Sequence, residues 1–137
     1  MQEAIHFLTV RELADRLESG AITSVDLTQM YLDRAEQLDP PPFDLPSEPR
    51  NDHDGKLSTM VTIARDHALE SAERADAELR AGRRRSILHG VPYGVKDLLD
   101  TNGIRTTWGS GIFRNRVPER NAAVIEKLEE AGAVLLA

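Results

Sequence analysis

The sequence contains no cysteine, few aromatic residues and no long apolar run. The first absence excludes a disulfide framework, a thiol nucleophile and a thiolate metal site, and it fits a reducing compartment, so cytoplasm is the expected location. The second, 4% aromatic against 40% hydrophobic in 137 residues, leaves few bulky anchors, which sets one compact unit with a modest core as the ceiling. No stretch approaches membrane-spanning length. The start, MQEAIHFLTVRELADRL, carries Glu3 and Glu12 and no basic region ahead of an apolar run, so it does not read as a signal peptide. An excess of positive charge is also missing. With 17 Lys and Arg against 23 Asp and Glu, the net charge of -6 gives no electrostatic footprint for nucleic acid or an anionic membrane surface. Small or neutral partners fit better.

What is present is regular patterning. Thr9 opens T-V-R-E, in which its hydroxyl can cap an amide three residues on while Glu12 reaches back; Val10, Leu13, Ala14 and Leu17 follow at helical spacing. This predicts a helix over 10–19, stopped at Gly20. Thr23 and Asp26 repeat the device ahead of a second helix to about Asp39, and the short link predicts that the two pack as neighbours. From Asp39 to Lys56 lie five of the seven prolines, which exclude a helix interior or central strand and predict an exposed loop. Leu57–Ile63 is β-branched and short and reads as a strand. An alanine-rich helix follows, with Gly82 as its stop, and Arg83, Arg84 and Arg85 sit where cations complement a helix C-terminus. Phosphate binding is the rival reading of those arginines. V-P-Y-G-V-K-D-L-L has strand character, T-N-G marks a turn, a helix is expected over about Asn121–Ala131, and AVLLA reads as a buried strand. Strands alternating with helices predict an α/β fold, a mixed β-sheet covered by helices.

Several chemistries find no support. The histidines, His6, His53, His67 and His89, show no metal-ligand spacing, so no metal is expected. Gly109–Gly111 lacks the frame of a phosphate loop, no G-x-S-x-G elbow exists, and Asp97 and Asp100 bracket a Leu-Leu pair with nothing to mark an acid and base couple. Lys96 differs in its surroundings. If its segment is a strand, Pro92, Gly94 and Lys96 share one face made of small residues, which leaves room beside the ammonium. On these grounds a lysine that snorkels to water is the commoner outcome and a lysine base the rarer one, with Asp97 an available surface partner.

The segment L-H-G-V-P-Y-G-V-K-D-L-L-D-T-N-G-I-R-T-T-W-G-S, Leu88 to Ser110, resembles the amidase-signature family, whose pattern runs roughly L-H-G-I-P-x-x-V-K-D, a short spacer, G-x-x-T-T and G-S. Pro118–Leu135 resembles the helix and strand that follow it, and Ser19–Ser24 and Ala75–Gly82 also look familial. The proline loop is longer than the family leads one to expect. The resemblance implies that residues 1–137 are the N-terminal portion of a single amidase domain. It further implies a Ser, cis-Ser, Lys triad, in which Lys96 would take a proton from the bridging serine that activates the nucleophile. The glycine- and serine-rich segment that carries both serines in the family does not occur here, and Ser110 belongs to a different part of the pattern. The expectation is therefore a fragment that hydrolyses no carboxamide by itself, with a small-molecule amide as substrate, no cofactor, and a homodimer left open. The A subunit of a tRNA-dependent amidotransferase is the nearest alternative. A non-catalytic remnant or interaction module is the alternative of another class.

Overall fold

The computed structural model describes residues 5–38 and 59–137. The whole of the proline-rich stretch expected as a loop, 39–56, and the first two residues of the strand expected at 57–63, lie outside them.

The first helix, α1 (Val10–Glu18), starts on the expected capping box: Thr9 Oγ1 accepts from the Glu12 amide at 3.3 Å, and Glu12 Oε2 accepts from the Thr9 amide at 2.7 Å. Two otherwise unpaired donors are thereby satisfied. Its apolar face buries Leu13, Ala14 and Leu17. The next, α2 (Ser24–Leu38), has the Thr23–Asp26 cap, with the Asp26 amide donating to Thr23 Oγ1 at 3.0 Å. A second cap comes from far along the chain. Asp76, on α3 (Arg65–Arg80) and only 7% exposed, accepts from the Ser24 amide at 2.7 Å and the Val25 amide at 3.1 Å. Its charge also complements the positive end of the α2 dipole. Ser24 is fully buried, and its hydroxyl donates to the Gly90 carbonyl at 2.8 Å. Gly90 has φ +78°, and a Cβ there would stand 3.2 Å from that of Ser24, so glycine suits both backbone and space.

Helices α2 and α3 pack through Leu32 on the one and Ala68 and Ala72 on the other, and the small alanine side chains let the helices approach closely over Val134. A second cluster joins Leu13 and Leu17 of α1 to Leu27 and Val91. Arg65 links α3 to Asp33 at 3.1 Å and Glu36 at 2.9 Å, but these groups are partly exposed and such pairs add little. The strands are β1 (Pro92–Tyr93) and β2 (Val134–Leu135), parallel, in register Pro92 to Val134. A parallel pair requires a crossover, which here contains α4 (Ala123–Glu130). This is an α/β arrangement, and the described residues contain one parallel strand pair as its sheet.

Two expected strands are corrected. Residues 59–63 form no strand; the side chain of Arg105 takes the Val61 carbonyl at 2.8 Å, and a ladder-like tie appears at residue 64, where the Ala64 amide reaches the Leu136 carbonyl at 2.8 Å. The V-P-Y-G-V-K-D-L-L strand stops after Tyr93. Pro92 has no amide to donate, and the chain turns back at Lys96, whose carbonyl accepts from Leu98 and Leu99 at 2.6 and 3.0 Å. Lys96 therefore lies beyond the strand, without the alternating face expected of it.

His89 is a packing residue. It is 2% exposed, and its Nδ1 accepts from the Arg85 amide at 2.9 Å, which requires an unprotonated nitrogen there. Burial pushes the imidazole below its ordinary pKa, while Glu78, 3.4 Å from Nε2, pulls the other way. Gly132 lies against the ring: with φ +85°, a Cβ would meet His89 Cγ at 2.9 Å.

Two outcomes are expected. Asp76→Ala leaves two helix-terminal amides without their acceptor and should cost about 2 kcal/mol in a urea unfolding series. Because the folded-state pKa of His89 is depressed, the unfolded chain binds its proton first. Its contribution is complete above the free imidazole value of about 6.5 and is lost as pH falls through the folded value. Glu12, Glu78 and Asp100, whose pKa values are lowered, act only below about pH 4.5. Thermal melts between pH 7 and pH 5 should thus decline for the wild type and flatten in His89→Leu.

Candidate active site

Lys96 is exposed and borders a cavity of about 360 Å³ lined in part by Val61, Leu99, Ile104 and Trp108. Among the described residues its ammonium has no hydrogen bond or ion pair. Its backbone, by contrast, is held on both sides. Before it, the Val95 amide donates to the Ala137 carbonyl at 2.9 Å, beyond the end of β2. After it, Asp97 grips the Thr107–Gly109 segment: Oδ1 accepts from the Thr107 amide at 2.8 Å, Oδ2 accepts from the Thr107 hydroxyl and from the Gly109 amide at 3.3 Å, and the Asp97 carbonyl accepts from the Trp108 amide at 3.0 Å. The carboxylate next to the lysine is thus engaged elsewhere. Asp97 is a tie between two loops and leaves the amine unpaired.

The threonines of this region are buried and matched. Thr106 and Thr107 are 2% and 1% exposed, and the Thr101 and Thr106 hydroxyls lie 2.9 Å apart. The chain then makes a turn closed by the Ser110 amide on the Thr107 carbonyl at 3.0 Å, with both central residues left-handed, Trp108 at φ 57° and Gly109 at φ 67°. Asparagine and glycine are the usual occupants of such a turn; a bulky residue there costs about 1–2 kcal/mol. Three contacts hold the indole in place. Trp108 Nε1 donates to Asp100 Oδ1 at 3.3 Å, the Arg116 guanidinium lies 4.3 Å from the ring centroid, and Phe113 meets it edge-on at 5.1 Å. Asp100 and Arg116 form a forked pair at 2.8 and 2.6 Å, which holds the Asp100 carboxyl below the usual range and raises Arg116.

Other candidates resolve into structure. Arg84 pairs with Glu18 and donates to the Ser86 carbonyl at 3.0 Å, and Arg85 forks onto Glu78 and reaches the Glu129 carbonyl at 3.1 Å. Both tie helices together, where a solvated cap or phosphate contacts were the two readings. A second cavity, about 380 Å³ and largely polar, lies beside Arg85, with Arg74 and Asn121 among its walls. Tyr93 has a buried phenol without a partner among the described residues, and burial raises it to about 12, so it stays protonated. No group of three metal-ligating side chains occurs among the described residues, and no helix among them is long and apolar enough to cross a membrane. The sequence reading missed the roles of Asp97, Asp100, Arg116 and Trp108. A Trp-Gly pair between Thr107 and Ser110, at a place that suits Asn-Gly, was the available clue.

Residues 50–137 match the model of the family described as Amidase. The A subunit of glutamyl-tRNA(Gln) amidotransferase from Marinobacter nauticus is 39% identical over 132 residues, covering 96% of this chain and 24% of that protein. Its counterpart from Geobacter metallireducens is 37% identical, with 94% and 23% covered. Among solved structures, the native peptide amidase from Stenotrophomonas maltophilia superposes with a TM-score of 0.78 at 30% identity, covering 96% of this chain and 24% of that one. The chain spans about a quarter of the length of these relatives. The superposition identifies the α/β layering as that of amidase-signature enzymes, and with more than half of its residues matched by the family model, the chain belongs to the amidase family.

Proposed function

We propose that this chain supplies the lysine base of an amide-cleaving site, with Lys96 as the catalytic residue. The observation that carries the reading is the state of that side chain: an amine unpaired among the described residues, at a cavity, on a backbone fixed at Val95 and at Asp97. A base works when its position is set beforehand and no carboxylate occupies it.

In the mechanism that the family resemblance implies, the neutral amine of Lys96 takes the proton of a bridging serine hydroxyl. That serine in turn takes the proton of a second serine, whose Oγ attacks the amide carbonyl. The tetrahedral intermediate collapses with cleavage of the C–N bond, and the protons return by the same route so that ammonia leaves neutral. Water then attacks the acyl ester, which releases the carboxylate and restores both hydroxyls. Both serines would come from the three quarters of the domain that the relatives have and residues 1–137 do not span. The substrate in this reading is a small carboxamide, hydrolysed to acid and ammonia. A second reading, the A subunit of a tRNA-dependent amidotransferase, is favoured by the identity of 39% to the Marinobacter protein. It shares the ammonia-releasing step and differs in where the ammonia goes.

Three measurements test this. Fused to the remaining three quarters of the Stenotrophomonas peptide amidase, the chain should turn over a simple carboxamide, and Lys96→Ala should lower kcat at least about 100-fold; near-normal turnover would rule out the base assignment. The 137-residue chain alone should release no ammonia from carboxamides, and measurable release from a pure preparation would refute the need for outside serines. A second fusion, to the remaining three quarters of the Marinobacter A subunit, separates the two readings when glutamine and charged tRNA are added: activity restored there and not in the peptide amidase fusion favours the amidotransferase, and the reverse favours the hydrolase.

A further inference from the structure

The strained residue of the site has no part in the proton relay. Trp108 adopts a left-handed backbone that a bulky side chain rarely takes, and it is held there by Asp100, Arg116 and Phe113. Strain kept in place by its surroundings clusters at functional sites, and here it fixes an indole that is 44% exposed on the wall of the Lys96 cavity. A glycine or asparagine would make the same turn without the strain of a bulky side chain. What the tryptophan adds is a flat apolar surface.

The cavity is suited to such a surface. Val61, Leu99 and Ile104 contribute apolar area, and Leu98, 55% exposed, lies at its edge. Of the three charged side chains that the described residues bring to it, two are already engaged, Asp97 with Thr107 and Gly109, and Arg105 with Thr62 Oγ1 at 3.2 Å and the Val61 carbonyl at 2.8 Å. Among the described residues, Lys96 is left as the one free charge of a cavity otherwise made for an apolar group. Arg116 lies over a face of the indole, and its forked pairing with Asp100 prevents the ring from turning away.

We propose that Trp108 is a specificity-determining residue, the wall on which the side group of the amide substrate stacks, and that the preferred substrates are carboxamides bearing an aromatic or similarly flat apolar group. Asp100 and Arg116 are positioning residues for the indole. The proposal rests on the reading of Lys96 as the base, because that reading places the amide in this cavity.

Trp108 is the sole tryptophan, so its fluorescence reports on this wall alone. Titrating the 137-residue chain with phenylacetamide should shift the emission to the blue along a saturating curve, as the ring loses water, while acetamide at equal concentration should not. The same saturation should appear with Lys96→Ala, because stacking does not need the base. Loss of the wall would therefore show as an absent shift in the wild type, whereas loss of the base reading shows only in the turnover of the fused enzyme. Binding of phenylacetamide measured by calorimetry should weaken about tenfold in Trp108→Gly and Trp108→Asn, both suited to the left-handed turn, and should largely survive in Trp108→Tyr. A non-saturating response, equal binding of the two amides, or full affinity in both the glycine and asparagine variants overturns the proposal.

Discussion

One buried carboxylate organises this chain. Asp76 lies on α3 but serves the first amides of α2, and from there the order passes by way of the Ser24 hydroxyl to the Gly90 carbonyl, just before β1 begins. Three segments of the chain thus meet at one buried polar cluster. Polar groups in such a place are stabilising only when each is matched, and here the two amides and the hydroxyl all have partners. The cluster also sets where β1 starts, and with it the course of the chain toward Lys96.

The loops that follow have little regular structure, yet they are closely tied. Between Tyr93 and Ala122 there is one short 3₁₀ turn, Gly111–Phe113, and no strand or α-helix. Order comes from side chains in its place: Asp97 to Thr107 and Gly109, Asp100 to Arg116, Asn121 Oδ1 accepting from the Asn102 amide at 2.7 Å. Loops on a rigid scaffold are where binding and chemistry concentrate, because their side chains are free to differ while the frame is constant. This loop is unusual in carrying much of its own frame.

Local features were legible in the sequence and long-range ones were not. The Thr9 capping box, the Thr23–Asp26 cap, the stop at Gly82 and the strand at Val134 depend on residues a few positions apart, and each appears where the spacing puts it. The β-branched run misled over 59–63, because strand propensity describes fit to a neighbouring strand and, at Val61, the Arg105 guanidinium took the carbonyl a neighbour would need. The Lys96 segment misled for a related reason: valines suggested an extended run, while Pro92 and the turn at Lys96 cut it short. Nothing local announced Asp76, whose targets lie more than fifty residues earlier. Lys96 itself stood out only through the pattern of residues around it, since an exposed lysine near a strand end has no physical mark of a base.

The two ties beside Lys96 set a geometric condition on any partner group. With Val95 joined to Ala137 and Asp97 joined to Thr107, the Cα of residue 96 is a fixed pivot, and only the four-carbon stem can swing. The amine therefore explores a volume bounded by the length of its extended stem about one point in the fold. Any group that is to meet it must come within that reach, because the lysine cannot follow a misplaced partner by moving its loop.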